Sequence, residues 1–371
     1  MRNANSFRPR VSPASIVKRI VFLGSFALLL LAVPTPSAPI PLGAQSAPSE
    51  TEQLFTESHP AMGTTYMISL YATSPARAAV LFMAAFDEID RVDDLLSNYK
   101  ETSELSRISR LGYPGPVTTD PETFRFLEIS FNYSRQSDGA FDITVGPLMR
   151  AWGFFRGTGH YPTREELAKA LASTGWQHVH LDPTARTIRF DVPGMELDPG
   201  GIGKGYAVER VITLLRSLGV KTALVDAGSS TIYALGAPPG QDGWVVRIPV
   251  PGDRTKTISS VTLRDTSLST SGDYEKFFQL DGKIYCHIMD PKTGEPIHGM
   301  LQTTVITPNP TDSDALSLVM FGMGPEGAEK MMEPIPATSG LWIMGTPDAM
   351  RVARWRWPAD VRIPESISRP R

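Results

Sequence analysis

Leu197-Asp198-Pro199-Gly200-Gly201-Ile202-Gly203-Lys204-Gly205-Tyr206 closes a short apolar run and opens an amphipathic helix, Ala207–Leu218. Glycine reaches positive φ without penalty and lets the backbone approach a ligand closely. The unpaired N–H groups at the start of the helix favour anions, and Lys204 adds a positive charge, so the corner suits a phosphate or diphosphate. Asp198, just ahead of the turn, can accept from a ring N–H or hold a metal through solvent. The spacing is neither that of a P-loop, which puts Ser or Thr after the lysine, nor a G-x-G-x-x-G fingerprint. An ordinary Gly-rich strand-to-helix turn looks the same, so other segments must decide.

The chain has 371 residues, enough for one large or two modest domains. A net charge of −3 supplies no basic field for nucleic acid. Cys286 is the only cysteine, which excludes an intrachain disulfide and a thiolate metal cage. Arg2, Arg8, Arg10, Lys18 and Arg19 precede an uncharged apolar run, Ile20–Val33. Residues 1–34 therefore read as a secretory signal, too short for a comfortable membrane span, or as an uncleaved anchor that attaches the protein to the membrane. Both place the domain outside the cytoplasm, periplasmic or tethered to the outer face of the cytoplasmic membrane. No cysteine lies near the end of the run, so a lipid anchor at that site is excluded. Residues 35–51 read as a flexible linker, 52–348 as one domain, and the Arg/Pro-rich stretch 349–371 as a loose tail.

Within the domain, alternation over Thr64–Ala72 predicts a strand, and Ser74-Pro75 starts a helix to about Leu96. The acids on that helix (Asp87, Glu88, Asp90, Asp93, Asp94) read as a solvated face. Helices are also expected from Asp120-Pro121-Glu122, from the Thr163–Glu166 capping box, and over Ser313–Met323. Short strands are expected at His178–Leu181, Ile188–Val192, Ala223–Val225, Ile232–Leu235, Trp244–Ile248, Val261–Leu263 and Thr303–Thr307. A hairpin joins Lys276–Leu280 to Lys283–Ile288 around Asp281-Gly282, and Leu341–Met344 is a closing strand. Strands and helices alternate irregularly, which predicts an α+β fold with largely antiparallel sheets and flanking helices.

Five further stretches hold more turn formers and polar groups than packing requires. They are His59–Thr64, Ser97–Glu104, Gly139–Pro147, Thr270–Tyr274 and Tyr285–Gly294. A sixth, Asp312–Leu316, puts acids at a helix start, where they suit the dipole or merely cap it. Together these groups suit a nucleotide diphosphate with a divalent cation. Lys204 and backbone N–H groups meet the phosphates, Asp314 supplies a hard oxygen, and Tyr99, Phe141 and Met62 pack on a flat ring. Each also has a plainer account: His287 as a bonded core histidine, Cys286 as a small hydrophobe, Asp290–Gly294 as a tight turn, and His178 with His180 as a metal pair lacking a third ligand.

In order, these stretches resemble the ApbE family of FAD:protein FMN transferases. The matching segments are Met62-Gly63-Thr64, Ser97-Asn98-Tyr99 with Ser103-Glu104-Leu105, Gly139–Leu148 with Trp152-Gly153-Phe154, and Asp198–Tyr206. They continue with Ser271-Gly272-Asp273-Tyr274, His287–Pro291 with Thr293-Gly294, and Asp314-Ala315-Leu316. The resemblance implies a single ApbE-like catalytic domain that takes FAD as substrate with Mg²⁺. It implies transfer of the FMN half to a Ser or Thr hydroxyl of an exported acceptor, such as an FMN-binding domain of a membrane redox complex, with release of AMP. It implies Met62, Tyr99, Ala140, Phe141, Asp142, Asp198 and Lys204 as nucleotide contacts, and Gly201 (through its carbonyl) and Asp314 as metal ligands. It implies His287 as the catalytic base, with Asp273 as the alternative. One departure stands out: Leu318 occupies the place of the family's usual threonine metal ligand, so a ligand must come from Ser317, Asp312, water or nowhere. FAD hydrolysis to FMN and AMP, and FAD binding without chemistry, are the competing functions.

Overall fold

Residues 51–157 and 159–363 are described by the computed structural model. The expected leader, almost all of the expected linker and the last residues of the expected tail lie outside them. In chain order the first half gives β1 (Gln53–Ala61), β2 (Thr64–Ala72), α1 (Pro75–Leu96), α2 (Glu104–Leu111), β3 (Val117–Thr118), α3 (Pro121–Gln136), α4 (Gly146–Ala151) and α5 (Arg164–Ala172). There follow β4 (Val179–Asp182), β5 (Thr187–Phe190), α6 (Gly203–Ser217), β6 (Ala223–Ala227), β7 (Thr231–Leu235), β8 (Trp244–Val250), β9 (Asp253–Leu263) and β10 (Thr266–Gly272). The chain ends with β11 (Phe277–Leu280), β12 (Lys283–Cys286), β13 (Met300–Thr307), α7 (Pro310–Met332), β14 (Ser339–Thr346) and β15 (Ala349–Trp355).

Eight strands form one antiparallel sheet in the order β1-β2-β6-β7-β10-β13-β14-β15. The expected α+β architecture is therefore the observed one. Strand β7 shows how the layers form. Tyr233 and Leu235 join the core with Tyr66, Ile68, Val225 and Trp342, under α1, α6 and α7. Ile232 and Ala234 point the other way, onto Val246, Ile248 and Val261 of the separate β8–β9 ribbon. With both faces covered, β7 is buried throughout and lacks polar alternation.

Helix boundaries follow their caps. Ser74 accepts from the Arg77 amide ahead of α1, and Thr163 with Glu166 completes the capping box of α5. Helix α7 starts earlier than expected, because Asn309 caps it and Pro310 takes its first position. It breaks at Gly324 (φ 68°, ψ −178°), just before Pro325.

Three expectations change. The stretch Thr270–Tyr274 is not a free loop, since most of it belongs to β10. His287 and Ile288 lie beyond β12, which stops at Cys286. The tail expected to be loose from residue 349 begins with β15, which pairs with β14 from Thr346↔Ala349 to Gly340↔Trp355.

Trp342 is fully buried, and its indole N–H donates to Met320 O at 3.1 Å, tying β14 to α7. Trp342→Ala is expected to cost about 3–5 kcal/mol, measured by denaturant unfolding with the slope unchanged.

Candidate active site

The glycine corner and the start of α7 meet at one peptide. Gly205 N donates to Asp314 Oδ2 at 2.8 Å, and Asp314 is only 3% exposed. A Cβ on Gly205 would lie 2.2 Å from Pro310 O and 2.6 Å from Asp314 Cβ, so only glycine lets the helices come this close. Lys204 is therefore one residue from the amide that holds Asp314. Its Nζ folds back to Gly200 O at 3.0 Å, while Asp198 Oδ1 accepts from Gly200 N at 2.8 Å. The Gly205 amide is committed to Asp314, so it is not among the corner's N–H groups left for an anion.

Met62 covers this corner. Met62-Gly63 is a two-residue turn between β1 and β2, with φ of 50° and 71°, and Ala61 pairs with Thr64 across it. The Met62 Cε lies 3.3 Å from where a Cβ on Gly203 would sit, and Tyr66 Oη donates to Met62 Sδ at 3.1 Å. Burial, then the charges of Asp314 and Asp93, hold the Tyr66 phenol far above its ordinary range. Asp93, read from sequence as part of a solvated face, is instead buried and paired with Lys100 at 2.5 Å. Asp93 did not stand out in the sequence, because an acid inside an acidic helix carries no distinguishing pattern.

Tyr99 forms a second wall. It is 41% exposed and stacks on Phe155 at 4.7 Å, with the Arg150 guanidinium 3.9 Å from the Phe155 ring centre. Arg156 donates to Tyr99 O. Burial and then Asp198 raise the Tyr99 phenol, against the pull of Arg156 and Arg150. Phe155 and Arg156 are missed by sequence reasoning; their one signal is that they directly follow Trp152-Gly153-Phe154.

In the Ala140-Phe141-Asp142 segment, the Phe141 and Asp142 side chains are buried. The Phe141 ring stands at 70° to that of Tyr133, with centroids 6.2 Å apart. Asp142 Oδ1 accepts from Thr144 N and Oγ1, and Oδ2 from Trp176 N, at 2.8–2.9 Å. Burial still lifts its carboxyl above the usual range. Both side chains are internal struts that hold the loop, and Ala140 packs against α7 opposite Gly322.

His287 lies beside the corner. Its N–H donates to Lys276 O at 3.0 Å, and Nδ1 lies 3.2 Å from the same oxygen. With Nδ1 as donor, Nε2 is the acceptor nitrogen. Burial first, then the charges of Lys276 and Lys204, push the imidazole down to about 4. This replaces the ordinary histidine value expected from sequence, and it couples the hairpin to Lys204. Asp273 anchors its amide on Leu301 O at 3.1 Å, and its charge reaches Cys286. Burial raises the Cys286 thiol to about 11, so it behaves as a small hydrophobe.

The oxygen donors suit a hard cation. Asp314 gives one carboxylate, and Gly201 lies beside it on the corner. Among the described residues no group of three or more His, Cys, Asp or Glu is arranged to hold a metal. Mg²⁺ needs no such cage, because it takes one or two carboxylates together with substrate phosphates and water. The protein groups considered for the missing ligand each hold hydrogen bonds of their own. Ser317 Oγ donates to Asp314 O at 2.7 Å and meets Ser271 Oγ at 2.7 Å, and Asp312 accepts from Tyr133 Oη at 2.7 Å. Leu318 presses on Gly201, its Cδ1 2.2 Å from where a Cβ would stand.

A family model described as the ApbE family matches residues 62–342. The chain belongs to the ApbE family. This ApbE chain is 34% identical over 270 residues to a protein of Klebsiella pneumoniae named FAD:protein FMN transferase, covering 71% of this chain and 81% of that one. It is 33% identical over 306 residues to a Vibrio cholerae protein of the same name, covering 79% and 88%. The crystal structure of Pseudomonas stutzeri flavinyl transferase ApbE, apo form, superposes with a TM-score of 0.73 at 29% identity, over 84% of this chain and 97% of that one. The flavin transferase ApbE from Vibrio cholerae gives 0.74 at 29% identity, over 82% and 98%.

Gly205→Ala in this ApbE chain is expected to cost about 1–3 kcal/mol through overpacking. Gly115→Ala, where nothing lies within 4 Å of the added carbon, serves as the near-neutral control in the same unfolding measurement.

Proposed function

We propose that this chain, a transferase of the ApbE family, moves the FMN half of FAD onto a Ser or Thr hydroxyl of an exported acceptor protein, with Mg²⁺, and releases AMP. The observation that carries the reading is the Gly205–Asp314 bond, which makes Lys204 and a buried carboxylate neighbours, with His287 within electrostatic reach of Lys204. The names of the relatives agree with it. Export rests on the N-terminal pattern alone, and fractionation of the native host checks it.

In this reading Lys204 binds the diphosphate and Asp198 holds the turn beneath it. Tyr99 and Met62 flank the nucleotide, with Phe155 behind Tyr99. Asp314 and the Gly201 carbonyl would hold Mg²⁺, which would neutralise diphosphate charge when bound. The acceptor hydroxyl oxygen attacks the FMN phosphorus while its proton passes to His287 Nε2. The bond from that phosphorus to the bridging oxygen breaks, and AMP leaves with the bridging oxygen. Little covalent work falls to the protein, so positioning and charge dominate.

His287→Ala is expected to slow transfer about 10²–10⁴-fold with FAD binding nearly intact; mass spectrometry of an acceptor domain incubated with FAD and Mg²⁺ reads it, and full activity would reassign the base. Asp314→Ala is expected to abolish the response to Mg²⁺. Leu318→Thr, by offering a hydroxyl beside Gly201, is expected to lower the Mg²⁺ concentration for half-maximal rate.

The active base is neutral His287, and its pKa in the free protein is about 4. The acid limb of kcat/KM, which reports the free enzyme, is therefore expected near 4 and not near ~6.5. Stability follows the same sign. Below ~6.5 the unfolded chain takes up a proton that folded His287 refuses down to about 4, so this residue's contribution falls as pH drops through that window.

A further inference from the structure

Lys276 has no role in the reading above, yet it shares the setting of His287. The β11–β12 register pairs Phe277 with Cys286, and the His287 N–H to Lys276 O bond of 3.0 Å extends that ladder by one pair. Opposed residues on antiparallel strands send their side chains to the same face, about 5 Å apart at Cβ. Lys276 also lines a cavity of about 260 Å³ with Phe154, Gly157, Glu275 and Phe277, and the Phe154 ring lies 6.4 Å from that of His287. Its neighbour Glu275 is bound by Arg254 at 2.8 Å, whereas Lys276 makes no ion pair among the described residues.

Two ammonium groups, Lys204 from the glycine corner and Lys276 from the hairpin, thus bear on one imidazole, and among the described residues no carboxylate is paired to either. Like charges gathered at one point are costly unless an anion joins them. A diphosphate carries the charge and the length to meet both.

We propose that Lys276 is a second binding cation for the diphosphate of the dinucleotide, acting from the hairpin as Lys204 acts from the glycine corner. This rests on the FAD reading above. It assigns the hairpin a share in substrate binding and gives the cavity over Phe154 an electropositive rim.

Flavin fluorescence titrations with FAD and with riboflavin, on the full chain, test it. Lys276→Gln is expected to raise the FAD Kd about five- to twentyfold. Lys276→Arg is expected to restore it, and riboflavin, which lacks phosphate, is expected to bind wild type and Lys276→Gln alike. Lys283→Gln, further along the same hairpin, is expected to match wild type. An unchanged FAD Kd in Lys276→Gln overturns the proposal, even if the KM for an acceptor rises, since Lys276 then serves the acceptor. Equal weakening of FAD and riboflavin overturns it too, by showing a structural role. Failure of wild type to bind FAD removes the functional reading itself, and the assignment of Lys276 with it.

Discussion

One buried carboxylate accepting one backbone amide organises this molecule's active region. Asp314 comes from α7 and Gly205 from α6, and their contact exists only because position 205 has no side chain. A buried carboxylate without partners is costly, and the Gly205 N–H gives one of its oxygens a partner while leaving the second outside this bond. The bond thus locks two helices together and sets a negative charge one residue from Lys204. Remove that closeness and the corner becomes an ordinary anion site with no cation beside it.

A second constraint is electrostatic. His287 is half-buried, bonded twice to a single carbonyl oxygen, and subject to two lysines, so the free protein holds it neutral. Under the proposed reading, an anion bound between those lysines would relax the repulsion and raise the basicity of His287. Charge arranged before the reaction contributes more to phosphoryl transfer than any covalent step by the protein.

Much of this was legible in the sequence, and the omissions have physical causes. The glycine corner, the Met62-Gly63 turn and the helix at Asp314 all announced themselves through Gly, Pro and cap residues, whose backbone preferences are local. Strand β10 did not, since Thr266–Gly272 reads as a polar loop; its hydroxyls are buried against α7, a fact only tertiary contact supplies. Strand β1 carries Glu57, His59 and Pro60 and is mostly exposed at the sheet edge, so no alternation marks it. Asp142 and Phe141 belong to a matching motif, but a motif does not say whether a side chain faces a ligand or props up the loop. The lysine environment of His287 was invisible, because Lys204 and Lys276 come from distant segments.

The hydroxyl layer beneath α7 has a mechanical consequence. Ser313 meets Ser267 at 2.8 Å and Ser269 at 2.6 Å, Ser317 meets Ser271 at 2.7 Å, and Thr303 donates to Ser317 O at 2.7 Å. Oily contacts tolerate sliding, but directional ones act like the teeth of a rack. A shift of α7 by even one residue, about 1.5 Å along its axis, would unseat several of them together. The depth at which Asp314 enters the site is thereby indexed by the serines just before it and one turn after it, Ser313 and Ser317.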